Sequence, residues 1–161
     1  MEMETEIEKY KNYINNRYGS HGVFAYIIRN KDHNNKYKNK EQLYLKINNI
    51  SFELIVKFDP LNFKNHIKVR HPDSTLNMIM QTLINPDDIF KKDSSSNNSA
   101  DPTIKTDLYF QKDGFRVVIG KKWSNSKEII TAYKFEKNDI KTIYKNQQKF
   151  PLSADVKYSF V

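Results

Sequence analysis

Six short runs rich in β-branched and aromatic residues do most to limit what this chain can fold into. They are "VFAYIIR" (23–29), "QLYLKI" (42–47), "SFELIVKF" (51–58), "TDLYFQ" (106–111), "FRVVIG" (115–120) and "EIITAYKF" (128–135). Such runs suit strands, because branched and aromatic side chains pack well on a pleated, half-buried surface. Asn48 and Asn49 suit the turn between the second and third runs, which predicts a hairpin. The last three runs, with Gly114 as a turn, predict a three-stranded antiparallel meander.

Two segments carry helical spacing instead. Met3, Ile7, Tyr10 and Ile14 recur every three or four residues and predict a helix over 3–18, stopped near Arg17, Tyr18 and Gly19. Leu76, Ile79, Met80 and Leu83 predict a second, with Asp73 or Ser74 as N-cap and Asn85-Pro86 as its end. The expected class is α+β: an antiparallel sheet packed against one or two helices, with an N-terminal helix and hairpin extension.

A chain of 161 residues suits one core with an appendage. Asp59-Pro60 divides an N-terminal part (1–60), whose role the sequence leaves open, from the remainder (61–161). "NKDHNNKYKNK" and "KKDSSSNNSADPTIK" (91–105) read as exposed loops, residues 138–149 as weakly helical, and the tail beyond Pro151 stays unassigned. No apolar run has the length of a signal peptide or a membrane span, so the expectation is a soluble protein with no membrane partner. There is no cysteine, which removes disulfides and thiolate zinc sites.

The formal charge is +8, with 27 Lys and Arg against 19 Asp and Glu. That balance favours polyanions such as nucleic acid, although a lysine- and asparagine-rich composition also fits the drift of an AT-rich genome. Arginine is scarce, at positions 17, 29, 70 and 116. The stretch "HIKVRHPDSTLNMIM" puts His66, Arg70 and His71 together just ahead of the second helix. An imidazole at a helix N-terminus meets a partial positive charge that favours its neutral form, and neutral imidazole is a competent general base. Lys121 and Lys122 end one strand, and Thr131 and Tyr133, two apart on the next, share one side of the sheet. A base, a cation and hydroxyl donors suit RNA cleavage without a metal: the base removes the ribose 2′-OH proton and the others stabilise charge on the phosphoryl oxygens.

"RHPD" (70–73) opening a helix, "INPDDIF" (84–90) closing it, "YFQKDGFRVVIG" (109–120) as paired strands and "IITAYKF" (129–135) as a final strand resemble the barnase–EndoU–colicin–RelE-like (BECR) ribonucleases, most closely their phage- and toxin-associated branches. The resemblance covers roughly residues 66–135. It implies a metal-independent endoribonuclease toxin with no cofactor, acting in the cytoplasm on RNA such as tRNA or mRNA, and either free-standing or delivered as the tip of a secreted toxin. It also implies an acidic cognate immunity or antitoxin protein as partner. Its site order implies His71, Lys121 or Lys122, Thr131 and Tyr133, with His66 as a second base or phosphate contact. Arg70 is either a phosphate clamp or a salt-bridge partner of Asp73. Trp123 either stacks on a base or anchors its loop, while His21 and His33 read as turn and solvated residues. The rival readings are a non-catalytic RNA-binding module and an interaction protein whose basicity is only compositional.

Overall fold

The computed structural model describes residues 4–30, 40–95, 104–121, 126–136 and 147–161. Helix α1 (Glu6–Tyr18) begins at a capping box in which Thr5 Oγ1 accepts from the Glu8 N–H and the Glu8 carboxylate accepts from the Thr5 N–H. The cap moves its start three residues past the apolar pattern, and the helix lays Ile14 and Tyr18 into the core. Gly22 then turns the chain at φ 95°, where a Cβ would stand 2.9 Å from the Asn48 carbonyl oxygen.

Strands β1 (Val23–Asn30), β2 (Lys40–Asn48) and β3 (Phe52–Phe58) pair antiparallel, so the expected hairpin is present. Asn49 shapes its turn, its side-chain oxygen accepting from the N–H groups of Ser51 and Phe52 at 2.9 and 2.8 Å. The free edge of β1 is partly occupied by Asn15 of α1, whose amide both donates to and accepts from the Ala25 backbone.

A second helical stretch, α2, was not foreseen. It runs from an Asp59 cap with Pro60 at its first position through Pro60–Asn62, a π-helical turn at Phe63–Ile67, and Lys68–Arg70. Its core-facing signal is thin, since Phe63 and Ile67 are the buried residues of its π-turn and none of Lys68–Arg70 is buried. Helix α3 (Leu76–Ile84) follows, capped by Thr75 rather than by Asp73 or Ser74, with Ile79, Met80 and Leu83 fully buried.

The remaining strands are β4 (Asp88–Ser95), β5 (Ile104–Lys112), β6 (Phe115–Gly120), β7 (Glu128–Lys134), β8 (Gln147–Phe150) and β9 (Tyr158–Phe160). The meander is thus four-stranded, β4 to β7. Residues 91–95, expected as loop, extend β4 along β5, and residues 147–149, expected as helical, pair with β4 as β8. In both cases ladder hydrogen bonds to a neighbouring strand override weak local preference.

All nine strands form one mostly antiparallel sheet in the order β1-β2-β3-β7-β6-β5-β4-β8, with β9 alongside β3, and the protein is α+β. The core lies on one sheet face, where Leu45, Val56, Phe110, Val117 and Ile119 meet α1 and α3. That cluster runs across residue 60 without interruption, so Asp59-Pro60 marks a turn within one core. The sheet is nonetheless nearly split there. β3 and β7 are parallel and share the single pair Lys57 and Glu128, with the Lys57 N–H donating to the Lys127 carbonyl at 2.8 Å. Among the described residues no helix is long and apolar enough to cross a membrane.

Candidate functional site

Past the Lys57 pairing, no strand among the described residues lies beside the edge of β7, and polar side chains from α2 and the following turn take its carbonyls. Asn62 Nδ2 donates to the Ile129 and Ile130 carbonyls at 3.2 Å each, and Ser74 Oγ donates to the Ala132 carbonyl at 2.8 Å. Ser74 is 1% exposed, so the bond is dry. The turn is closed from within, because the Ser74 N–H donates to the His71 carbonyl at 2.9 Å and the His71 N–H to the Ile67 carbonyl at 2.8 Å. These bonds hold the His71 ring beside the residue that follows Ala132: the His71 and Tyr133 rings lie 5.3 Å apart, tilted by 34°.

Tyr133 faces away from the core, across from Arg116 on β6, which in turn faces Gln111 on β5. Arg116 is 4% exposed. Its Nε donates to Gln111 Oε1 at 3.0 Å and its Nη1 to the Tyr133 hydroxyl at 2.8 Å. The guanidinium lies over three rings, those of Phe135 (4.4 Å), Tyr133 (5.4 Å) and Tyr109 (5.8 Å). Its Nη2 is buried, and among the described residues neither a hydrogen-bond acceptor nor a carboxylate pairs with it. A buried charge of this kind is costly unless neutralised, and ring faces, worth up to about 2 kcal/mol each when desolvated, offset only part of that cost. Burial, with smaller contributions from Asp107 and Tyr133, pushes the Tyr109 phenol above its usual range against the opposing effect of Arg116.

The expected site residues divide into those this cluster includes and those it does not. His71 and Tyr133 meet, and half-buried Thr131 lies on the same face of β7, opposite Val118. His66, Lys68 and Arg70 are exposed on α2, Lys68 lying over the Phe63 ring in a groove with Tyr10 and Tyr13 of α1, and among the described residues Arg70 makes no ion pair with Asp73. Lys121 is exposed just beyond β6, five positions from Arg116, roughly 16 Å along an extended strand. It is one of the influences holding the Lys127 ammonium below its usual range, after burial. Lys122 and Trp123 lie outside the described residues, as does His33.

His71 does not stand at a helix N-terminus. His71 caps the C-terminus of α2 and precedes the α3 cap, Thr75, by four residues. The nearest helix end therefore carries partial negative charge, the reverse of the expected N-terminal setting.

Arg116 joins this cluster from outside the expected site residues. A signal was there: in "FRVVIG" a single charged residue sits in a run whose every position is buried, and the partner of that charge is the question the pattern raises.

Among the described residues no three His, Asp or Glu side chains gather where they would hold one metal ion. Neither a known protein family, nor a curated protein, nor a solved structure matches the chain.

Proposed function

We propose that this protein is a metal-independent endoribonuclease whose reacting groups are His71 and Tyr133, with Arg116 acting through Tyr133. The observation that carries the reading is the chain of contacts from buried guanidinium to phenol to imidazole. Because Tyr133 Oη accepts from Arg116, its own proton is free to donate outward, to a non-bridging phosphoryl oxygen. The buried cation strengthens that donor and stabilises the dianionic phosphorane through a low-dielectric medium. His71, half-buried and therefore reachable, takes the 2′-OH proton; the 2′-oxygen bonds to phosphorus, the 5′-oxygen departs and takes a proton from water at the open rim. The products are a 2′,3′-cyclic phosphate and a 5′-hydroxyl end. Arg70, exposed one position before His71, supplies positive charge for the phosphate chain.

In this arrangement Arg116 fills the role expected of Lys121 or Lys122. The toxin setting, the choice of tRNA or mRNA and an acidic inhibitor rest on the BECR resemblance alone. Incubating the protein with total RNA in EDTA tests the activity: cyclic-phosphate ends made by the wild type and lost in His71→Ala support it, and intact RNA overturns it.

A further inference from the structure

The sheet face turned away from the core carries three aromatic rings in a row at its β1–β2 end. Phe24 and Tyr26 stack with centroids 6.3 Å apart, Tyr26 and Tyr44 at 5.9 Å, and in each pair the planes differ by 20°. Alternation along β1 and β2 sends Val23, Ala25, Leu43 and Leu45 inward, so these rings serve no core packing. Phe24 is 58% exposed. A ladder of rings in water is unfavourable surface that a ligand would cover.

The register interleaves the rings with lysines. Phe24 faces exposed Lys46 across the β1–β2 ladder, and Tyr44 faces Lys57 across β2–β3. Of the acids on this face, Glu53 accepts from Ser159 Oγ, and Glu128, in register with Lys57, is buried. Flat rings alternating with lysines match a ligand that alternates flat bases with negative phosphates, and only a single strand offers its bases for stacking.

The placement is also continuous with the cluster described above. Lys57 pairs with Glu128, and Glu128, Thr131 and Tyr133 share one face of β7 once its bulge is counted. From β1 to β7 is three strand spacings, about 15 Å. We infer that the outward face of β1–β3 is a single-stranded RNA platform, on which Phe24, Tyr26 and Tyr44 stack bases while Lys46 and Lys57 contact phosphates. It delivers the strand to Tyr133 and His71, and its choice of RNA rests on the ribonuclease reading.

The test uses the full chain, a fluorescein-labelled 2′-O-methyl RNA dodecamer that has no 2′-OH nucleophile, and a dinucleotide too short to reach the platform. Anisotropy should show salt-sensitive binding to the dodecamer that weakens roughly tenfold in Phe24→Ala and in Tyr26→Ala. Lys46→Glu, an exposed change that leaves the rings in place, should weaken it as well, and the same sequence as a duplex should bind less tightly. Dinucleotide cleavage should be unchanged in all three variants. Affinity indifferent to these substitutions overturns the platform, as does sedimentation showing that ring removal abolishes a protein dimer without affecting RNA binding. Ring-dependent binding without dinucleotide cleavage by the wild type leaves the platform standing and removes the catalytic reading, so the two fail separately.

Discussion

Arg116 donates to the Tyr133 hydroxyl from the neighbouring strand at 2.8 Å, which leaves the phenol as the more exposed end of a buried positive charge. The pair converts a cation that no phosphate reaches directly into a polarised O–H donor. It also explains how an arginine survives in a strand whose other positions are all buried.

Arg116→Met keeps bulk and removes charge. Cleavage should fall by about 100-fold or more, the range for losing a preorganised electrostatic contribution, while stability changes little, because an incompletely paired buried charge gives little net stabilisation. Arg116→Lys should fail to restore activity, since one ammonium does not reach both Gln111 and Tyr133 in the guanidinium's fixed geometry. Cleavage rates beside melting temperatures for the two variants check this; full activity in Arg116→Met would contradict it.

Ser74→Ala removes the bond that seats the His71 turn on β7 and leaves the Ala132 carbonyl unpaired. We expect a loss of about 1–3 kcal/mol in a urea titration. Hydrogen exchange should quicken at the His71 and Ser74 amides ahead of the sheet, whereas unchanged protection there would mean that the turn is held by other contacts.

Gly120→Ala should destabilise the protein by about 1–3 kcal/mol through overpacking. A Cβ there would overlap the buried Asp107 carboxylate and stand 2.7 Å from Ile130 Cδ1. Asp107→Ala in the same chain should recover part of the loss, and additive effects measured by thermal melting would rule out the clash.

Burial raises the phenols of Tyr10, Tyr18, Tyr26 and Tyr109 above the ordinary 10.0. Between 10.0 and their folded values the unfolded chain has already released these protons, so stability contributed below pH 10.0 is lost as pH rises. Lys127 acts in the opposite sense, because its lowered folded value makes stability rise with pH below 10.5. With four groups against one, the expected outcome is falling stability above about pH 10 and a late tyrosinate phase in ultraviolet titration. Simple titration of every tyrosine near 10.0 would contradict it.

The strands with clean two-residue alternation were legible, β3 above all, where buried and half-buried positions alternate throughout. α2 was hidden because its three short pieces bury few side chains, and the end of β4 because serine and lysine disguise residues held by pairing with β5. Within the site, His71 and Tyr133 were readable from order along the chain. Arg116 and Ser74 were not, since their roles come from what lies across the sheet and across its split, 17 and 58 residues away in sequence.

The most direct test of the account is the rate of cyclic-phosphate formation by Tyr133→Phe in EDTA, set against wild type and His71→Ala. The substitution removes one hydroxyl from a half-buried ring and leaves the His71 contact face in place. A fall of about 100-fold or more is the predicted result, alongside a modest drop in melting temperature because Arg116 Nη1 loses its acceptor. A Tyr133→Phe protein that cleaves as fast as the wild type would contradict it.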